Sequence, residues 1–249
     1  MRMEIDGRPA SPDAALLLTL GTYGHFTAMQ VRDRRTRGLD LHLARLTSAD
    51  REVFDRELDT GLVRQHIRRA LGDTLDASVR VYLTEASMLV TVREPGEMPV
   101  TAQRLRSVGY QRPVAHIKHS GGFAQEYHRR RAVRDGYDEV LLTAPDGTVS
   151  EGGITNLGCW DGSGVQWPDA PALAGITMRL LERGLADRGV PSQHAPVHRS
   201  DLPSFEAVVV TNARGIAPVE RVDDTPLPVS EGFTKLLTEI YQATPWDLI

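Results

Sequence analysis

Residues 148–157 read TVSEGGITNL. The preceding Pro145-Asp146-Gly147 is a turn signal, so Val149 opens a return strand and Glu151 lands beside two glycines. Working outward, residues 138–143 read as the strand before the turn, and 156–160 and 165–167 as strands around Asp161-Gly162. A helix is expected over 123–134. Another is expected over 177–188, with Met178, Leu181 and Leu185 on one side and Gly189 and Pro191 closing it. Residues 207–211 (AVVVT) form a short buried strand, and 230–244 a last helix with Phe233, Leu236, Leu237, Ile240 and Tyr241 at helical spacing. The first half repeats the mixture. A hairpin turn at Asp6-Gly7 separates 3–5 from Ala10, and 25–32, 78–84, 88–92 and 104–110 read as strands. Helices are expected at 41–58, with Leu43, Leu46, Val53 and Phe54 inward, and at 61–71, with Leu62, Ile67 and Leu71 on one side. Neither half shows a simple βαβ period or an internal repeat. The expected fold class is therefore α+β with mixed sheets, in two domains at 1–110 and 118–249 connected by 111–117.

Composition narrows the function. The chain has 249 residues, 41% hydrophobic and 25% charged, the make-up of a globular protein with a real core. A net charge of −4 supplies no global basic field for nucleic acid or an anionic membrane. The longest apolar run, 14–18, is too short to span a bilayer, and Glu4, Asp6 and Asp13 ahead of it argue against a secretory leader. The single cysteine, Cys159, excludes an internal disulfide and a multi-cysteine metal site, and reads as a packing residue. The eight histidines show no paired metal spacing. His116 and His119 only flank a turn. No Walker or Rossmann glycine loop is present, and 128–131 (HRRR) reads as a solvated helix face offset by Glu126 and Asp135. A cytoplasmic protein with no nucleic-acid, membrane or metal partner is expected.

One count stands out. Of 29 basic residues 27 are Arg and only two, Lys118 and Lys235, are Lys. A guanidinium stays protonated, so arginine cannot replace lysine where a neutral, nucleophilic amine is needed. Lys235 falls on the polar side of the last helix and reads as a solvated cation. Lys118 lies in 114–122 (VAHIKHSGG), between Ile117 and a glycine pair. An amine in partly apolar surroundings loses solvation of its charged form and becomes reactive toward carbonyls, which is what a Schiff-base lysine requires. A snorkelling lysine would look the same, just as Glu151 alone would read as an exposed turn acid. Together they say more. Gly152 and Gly153 let a flat ring approach the backbone, and a carboxylate beside a pyridine nitrogen keeps it protonated, so that the ring withdraws electrons from a carbanion.

In this order the motifs resemble the class IV aminotransferases, pyridoxal-phosphate enzymes of fold type IV that include branched-chain and D-amino-acid aminotransferases and 4-amino-4-deoxychorismate lyases. The resemblance runs from Ile5 to about Val222 and rests on five ordered segments. They are 24–31 (GHFTAMQV), 42–46 (HLARL), 117–119 (IKH), 149–156 (VSEGGITN), and 174–177 (AGIT) paired with 211–218 (TNARGIAP). The resemblance implies a two-domain fold like that of D-amino-acid aminotransferase, a homodimer, and an active site in the interdomain cleft. It makes Lys118 the Schiff-base lysine that later moves the proton, Glu151 the partner of the ring nitrogen, and Arg45 the grip on the cofactor phosphate. Ile176 and Thr177 offer donors to that phosphate at a helix start, and Asn212 one more. Phe26, Ala28, the Ala213 backbone and Arg214 fall on the substrate side.

The chain also departs from the family's pattern. Thr27 stands where many aminotransferases have Glu. That resembles the lyase branch, as do Lys118-His119 and Asn212-Ala213, but the second Thr of the lyase pattern is Ala28 here. Phe123 replaces a frequent Tyr, and Glu85-Ala86-Ser87 makes a tight connection in place of an Arg-Gly and a long loop. The first function implied is amino transfer between an amino acid and a 2-oxo acid. Next comes release of pyruvate from 4-amino-4-deoxychorismate, an aminocyclohexadiene. Third is an inactive binding protein of the same fold, and last a globular protein with no cofactor.

Overall fold

The computed structural model describes residues 1–11 and 23–249; the apolar run at 14–18 lies outside the described residues. The chain divides into two compact units, Met1–Gly96 with Ile117–Gly122 and Pro245–Ile249, and Glu97–His116 with Phe123–Thr244. This differs from the linear division expected at 111–117. The reason is strand pairing: 103–109 belongs to the sheet of the second unit, whereas the backbone around Lys118 and the C-terminal strand Trp246–Leu248 pair within the first.

The first unit holds β1 (Arg2–Ile5), β2 (Arg8–Pro9), β3 (His25–Val31), β4 (Arg35–Arg37), α1 (Leu39–Phe54), α2 (Thr60–Leu71), β5 (Ala77–Leu83) and β6 (Met88–Arg93). Its main sheet runs β2-β1-β6-β5-β3, antiparallel throughout. β3 and β5 alternate buried and half-buried residues, as strands with one covered face must. The covered face carries Met29, Val31, Val79 and Val81 against Leu46 of α1 and Val63 and Ile67 of α2. Burying a side chain of this size contributes about 1.5–3 kcal/mol. The other face of β3 carries Phe26, Ala28 and Gln30.

Both helices bury part of the stripe expected, Ile67 and Leu71 in α2 and Leu46 in α1 with Leu43 packed half-buried on the same core. In α2 the buried stripe is Val63, Ile67, Ala70 and Leu71, and Leu62 is exposed. Asp59 caps the helix by accepting the Leu62 N–H, which fixes where the stripe starts. In α1 only Leu46 of the expected four is fully buried. Leu39, Leu41, His42, Ala49 and Asp50 join it, and the helix begins earlier than expected, at Leu39, whose N–H is bound by Asp247.

The second unit holds β7 (Gln103–Gly109), α3 (Phe123–Arg134), β8 (Glu139–Thr143), β9 (Val149–Gly152), β10 (Asn156–Trp160), β11 (Val165–Pro168), α4 (Ile176–Asp187), β12 (Ser192–Ala195), β13 (Ala207–Asn212), β14 (Gly215–Val222), β15 (Thr225–Pro226) and α5 (Glu231–Ala243). Its mixed sheet runs β12-β11-β10-β13-β14-β7-β8-β9, with β15 on β14. α4 and α5 cover one part of it, packing Met178, Leu181, Leu185, Phe233 and Leu237 on Trp167 and Val209. A second core gathers Leu141, Val149, Leu157, Val210 and Val219. Among the described residues no helix is long and apolar enough to cross a membrane.

Candidate active site

In the first unit the backbone around Lys118 is sewn to the start of β3. Phe26 N–H donates to Lys118 O at 2.8 Å, Ser120 N–H donates to Gly24 O at 2.8 Å, and His25 pairs with His119. This sets the half-buried Lys118 side chain over the open face of β3, with Nζ 4.9 Å from the centroid of the Phe26 ring. Phe26 itself stacks on Tyr82, centroids 5.0 Å apart. Ala28 lies two residues on, on the same half-buried face. Arg45 is half-buried on α1, one turn beyond His42. His42 is 3% exposed, and its Nδ1 lies 2.7 Å from Oγ1 of fully buried Thr27. Burial, then the positive charges of Arg45 and Lys118, push the His42 imidazole down to about 3, so it is neutral at physiological pH.

In the second unit Glu151 sits on β9 at 5% exposure. Its Oε1 accepts from Arg112 Nε at 3.0 Å and its Oε2 from the Leu173 N–H at 3.2 Å. Arg112 is also buried and donates to Ala115 O. The glycines after Glu151 are required by the chain's own packing. A Cβ on Gly152 would stand 2.1 Å from Thr155 Oγ1. Ile176 and Thr177, both buried, open α4 behind Gly175, which has no side chain to cap the helix. The first N–H groups of α4 are thus available to an anion. Thr177 Oγ1 donates to Asn212 O at 2.7 Å, which ties the helix start to the end of β13. Asn212 Oδ1 accepts the Arg214 N–H at 2.8 Å, leaving the amide NH2 as its donor. Ala213 and Arg214 form the turn between β13 and β14, with Arg214 exposed. A cavity of about 340 Å³ in this unit is lined by Arg129, Glu139, Thr155, Asn212 and Arg214 among others.

Lys118, Arg45, Phe26 and Ala28 thus fall in one unit, and Glu151, Ile176, Thr177, Asn212, Ala213 and Arg214 in the other. Sequence reading missed Arg112 and the Thr27–His42 pair. Both are contacts between segments far apart in the chain, with no local spacing to announce them. Cys159 is fully buried, and burial pushes its thiol up to about 12, as suits a packing residue. Lys235 is exposed, its amine 3.9 Å from Glu239. In 128–131, Arg130 pairs with Glu126 at 2.6 Å and Arg131 reaches the Tyr127 hydroxyl, as expected of a solvated face.

The first unit thus presents a half-buried amine, and the second a buried carboxylate and an uncapped helix start. The chain matches the amino-transferase class IV model over residues 24–222 and belongs to that family of pyridoxal-phosphate enzymes. Its backbone is similar to that of a hypothetical aminotransferase from Mycobacterium tuberculosis in its PLP-bound form, with a TM-score of 0.85, 19% identity and 98% of each chain covered. It is also similar to the fold IV-transaminase CpuTA1 from Curtobacterium pusillum, with a TM-score of 0.80, 24% identity, and 92% of this chain and 89% of that one covered. A protein assigned as a 4-amino-4-deoxychorismate lyase, from Legionella pneumophila subsp. pneumophila str. Philadelphia 1, gives a TM-score of 0.82 at 18% identity, covering 92% of this chain and 93% of that one. At such identities the likeness establishes the fold, α+β of fold type IV. No curated protein matches the chain in sequence.

The residues present fit pyridoxal phosphate. In the first unit Lys118 has the amine and Arg45 the cation that such a group calls for, and in the second the uncapped start of α4 has N–H donors of the kind a phosphate takes. Glu151 is a buried carboxylate with one donor on each oxygen, and each oxygen has a further lone pair to give.

Proposed function

We propose that this enzyme transfers an amino group between an amino acid and a 2-oxo acid. Bound pyridoxal phosphate supplies the electron sink that stabilises a carbanion at the substrate carbon. The chain's own residues do the rest. Lys118 holds the cofactor through its amine. With that group bound, Lys118 Nζ would be the base that takes a proton from the substrate carbon and gives it back. Glu151 keeps the proton on the ring nitrogen, Arg45 and the start of α4 bind the phosphate, and Asn212 adds a donor. Phe26, Ala28, the Ala213 backbone and Arg214 bound the substrate. The homodimer implied by the resemblance is part of this reading, and sedimentation equilibrium tests it.

The observation that carries the proposal is the placing of Lys118. Its backbone is clamped to β3 and its amine lies over Phe26 on the half-buried face of the sheet. The same strand favours transfer over elimination of pyruvate. Thr27 points to the covered face, where its hydroxyl is bound to His42, and Ala28 on the face of Phe26 has no hydroxyl to offer.

Reconstituted with pyridoxal phosphate, the protein is expected to be yellow, with a visible band that borohydride abolishes and that Lys118→Ala lacks. An amino-acid donor should convert the band to that of the pyridoxamine form. If no donor does so while 4-amino-4-deoxychorismate yields pyruvate, the enzyme is a lyase. Arg45→Ala should weaken cofactor binding by about 1.5–3 kcal/mol, the value of a hydrogen bond to a charged group.

A further inference from the structure

We propose that Thr27 and His42 form a positioning pair that fixes Arg45 relative to Lys118, and so sets the span between the phosphate-binding cation and the amine. The inference rests on the function proposed above. The two charges are carried by different elements. Lys118 is held to β3, because Phe26 N–H donates to its carbonyl and the pairing of His25 with His119 continues the ladder. Arg45 is carried by α1. Side chains three apart on a helix are neighbours, so His42 and Arg45 share one face of it. The bond from Thr27 Oγ1 to His42 Nδ1, at 2.7 Å, runs from that strand to that helix turn. It joins the residue next to Phe26 to the residue one turn before Arg45.

The tie suits a positioning role in three ways. Both partners are out of solvent, at 0% and 3% exposure, so water does not compete for the bond. A buried donor or acceptor that loses its partner keeps its full desolvation cost, which makes the bond hard to break. The imidazole is also uncharged, so it adds no third positive charge to those of Arg45 and Lys118 that act on it. The charged groups acting on it are Arg45 from α1 and Lys118 from the segment beside β3, and the hydroxyl of Thr27 is its contact from the strand. A second tie, His25 Nε2 to Asp50 Oδ1 at 3.1 Å, anchors the same strand further along α1. Asp50 is held in turn by Arg56 at 2.8 Å. That tie fixes the helix as a whole, while the Thr27–His42 bond fixes the turn that bears Arg45.

The test uses the full chain with pyridoxal phosphate as the probe. Thr27→Val keeps the shape and removes the hydroxyl, Thr27→Ser keeps the hydroxyl, and cofactor affinity is measured by equilibrium dialysis. Thr27→Val should raise the Kd about fivefold to tenfold, the loss of one buried hydrogen bond. It should also move the pH midpoint of the visible band upward, since a cation that drifts from the amine opposes its protonation less. Thr27→Ser should restore both, with the melting temperatures of the cofactor-free proteins matched. A Thr27→Val protein with the wild-type Kd and pH midpoint overturns the proposal, as does a Thr27→Ser protein that restores neither. Should Thr27→Val fail to fold, His42→Asn and His42→Leu carry the test. The Asn amide can take the place of Nδ1 and should stay within about twofold of wild type by the same arithmetic, with Leu losing affinity. Equal loss in both overturns the proposal. A wild type that forms no borohydride-sensitive band sinks the function and this inference together. A normal wild-type band with an indifferent Thr27 sinks this inference alone.

Discussion

Arg112 shows how much of a site depends on a residue that does no chemistry. Glu151 is nearly out of solvent, and an ionised carboxylate taken there alone costs several kcal/mol. The Arg112 Nε–H at 3.0 Å and the Leu173 N–H at 3.2 Å offset that cost and hold the carboxylate in one orientation. Arg112→Met leaves the charge unpaired and should destabilise the cofactor-free protein by about 3–5 kcal/mol in urea titrations, with Arg112→Lys recovering part of the loss. A cost under ~1 kcal/mol would mean that Glu151 is held by something else. Individual residues were legible in the sequence to the extent that chemistry singles out a residue type. Lys118 stands out because lysine is scarce, and Glu151 because of the glycines beside it. Arg112 is one of 27 arginines, and its partner is 39 residues away. Only the fold brings the two together.

Two helix starts show the same division between local and distant causes. α2 is closed by Asp59, whose side chain accepts the Leu62 N–H at 3.0 Å, so Asp59→Ala should cost about 1 kcal/mol. α4 begins at Gly175, with no such cap, because that corner is filled from another strand. A Cβ on Gly175 would stand 1.9 Å from Asn156 Oδ1, and Asn156 Nδ2 is already committed to Leu173 O at 2.7 Å. Gly175→Ala must push Asn156, Leu173 or the helix aside, and Leu173 N–H is one of the two donors on Glu151. The expected outcome is a loss of about 1–3 kcal/mol in thermal or urea unfolding, with weaker cofactor retention. An unchanged stability would show that the helix start shifts freely. Periodic elements were readable: α3 spans 123–134 as expected, and α4 and α5 lie within a residue of expectation. β14 was not read, because Gly215 and Pro218 break the strand pattern and the pairing with β13, β7 and β15 that sustains it is not local. In α2, Ile67 and Leu71 were read correctly, and only the first turn was not, where Val63 and not Leu62 is buried.

For the whole molecule, the class and two-part organisation followed from alternating strand and helix patterns, but the interleaving of segments did not. Exchanges such as Trp246–Leu248 pairing with Arg35–Arg37 are long-range and leave no mark in local composition. The same long-range burial gives the chain a global pH response. His25 and His42 are both out of solvent in the first unit, and burial is the largest cause of the lowered pKa of each, His42 to about 3. In the unfolded chain both titrate near their ordinary value of 6.5. Below that pH the unfolded state binds protons that the folded state refuses, so stability is flat above it and falls as the pH drops. For His42, whose folded value lies at about 3, the slope between the two values approaches about 1.4 kcal/mol per pH unit. Glu139 has the opposite sign, since burial raises its carboxyl and the folded state binds its proton more readily. Comparison with a His42→Asn variant isolates one imidazole from that background. Urea unfolding of the cofactor-free proteins at several pH values between 7 and 4 should show the wild type losing stability more steeply than the variant. The difference in slope should approach one proton. Parallel curves would mean that His42 titrates alike in the folded and unfolded protein, in which case the imidazole bound to Thr27 is not held neutral.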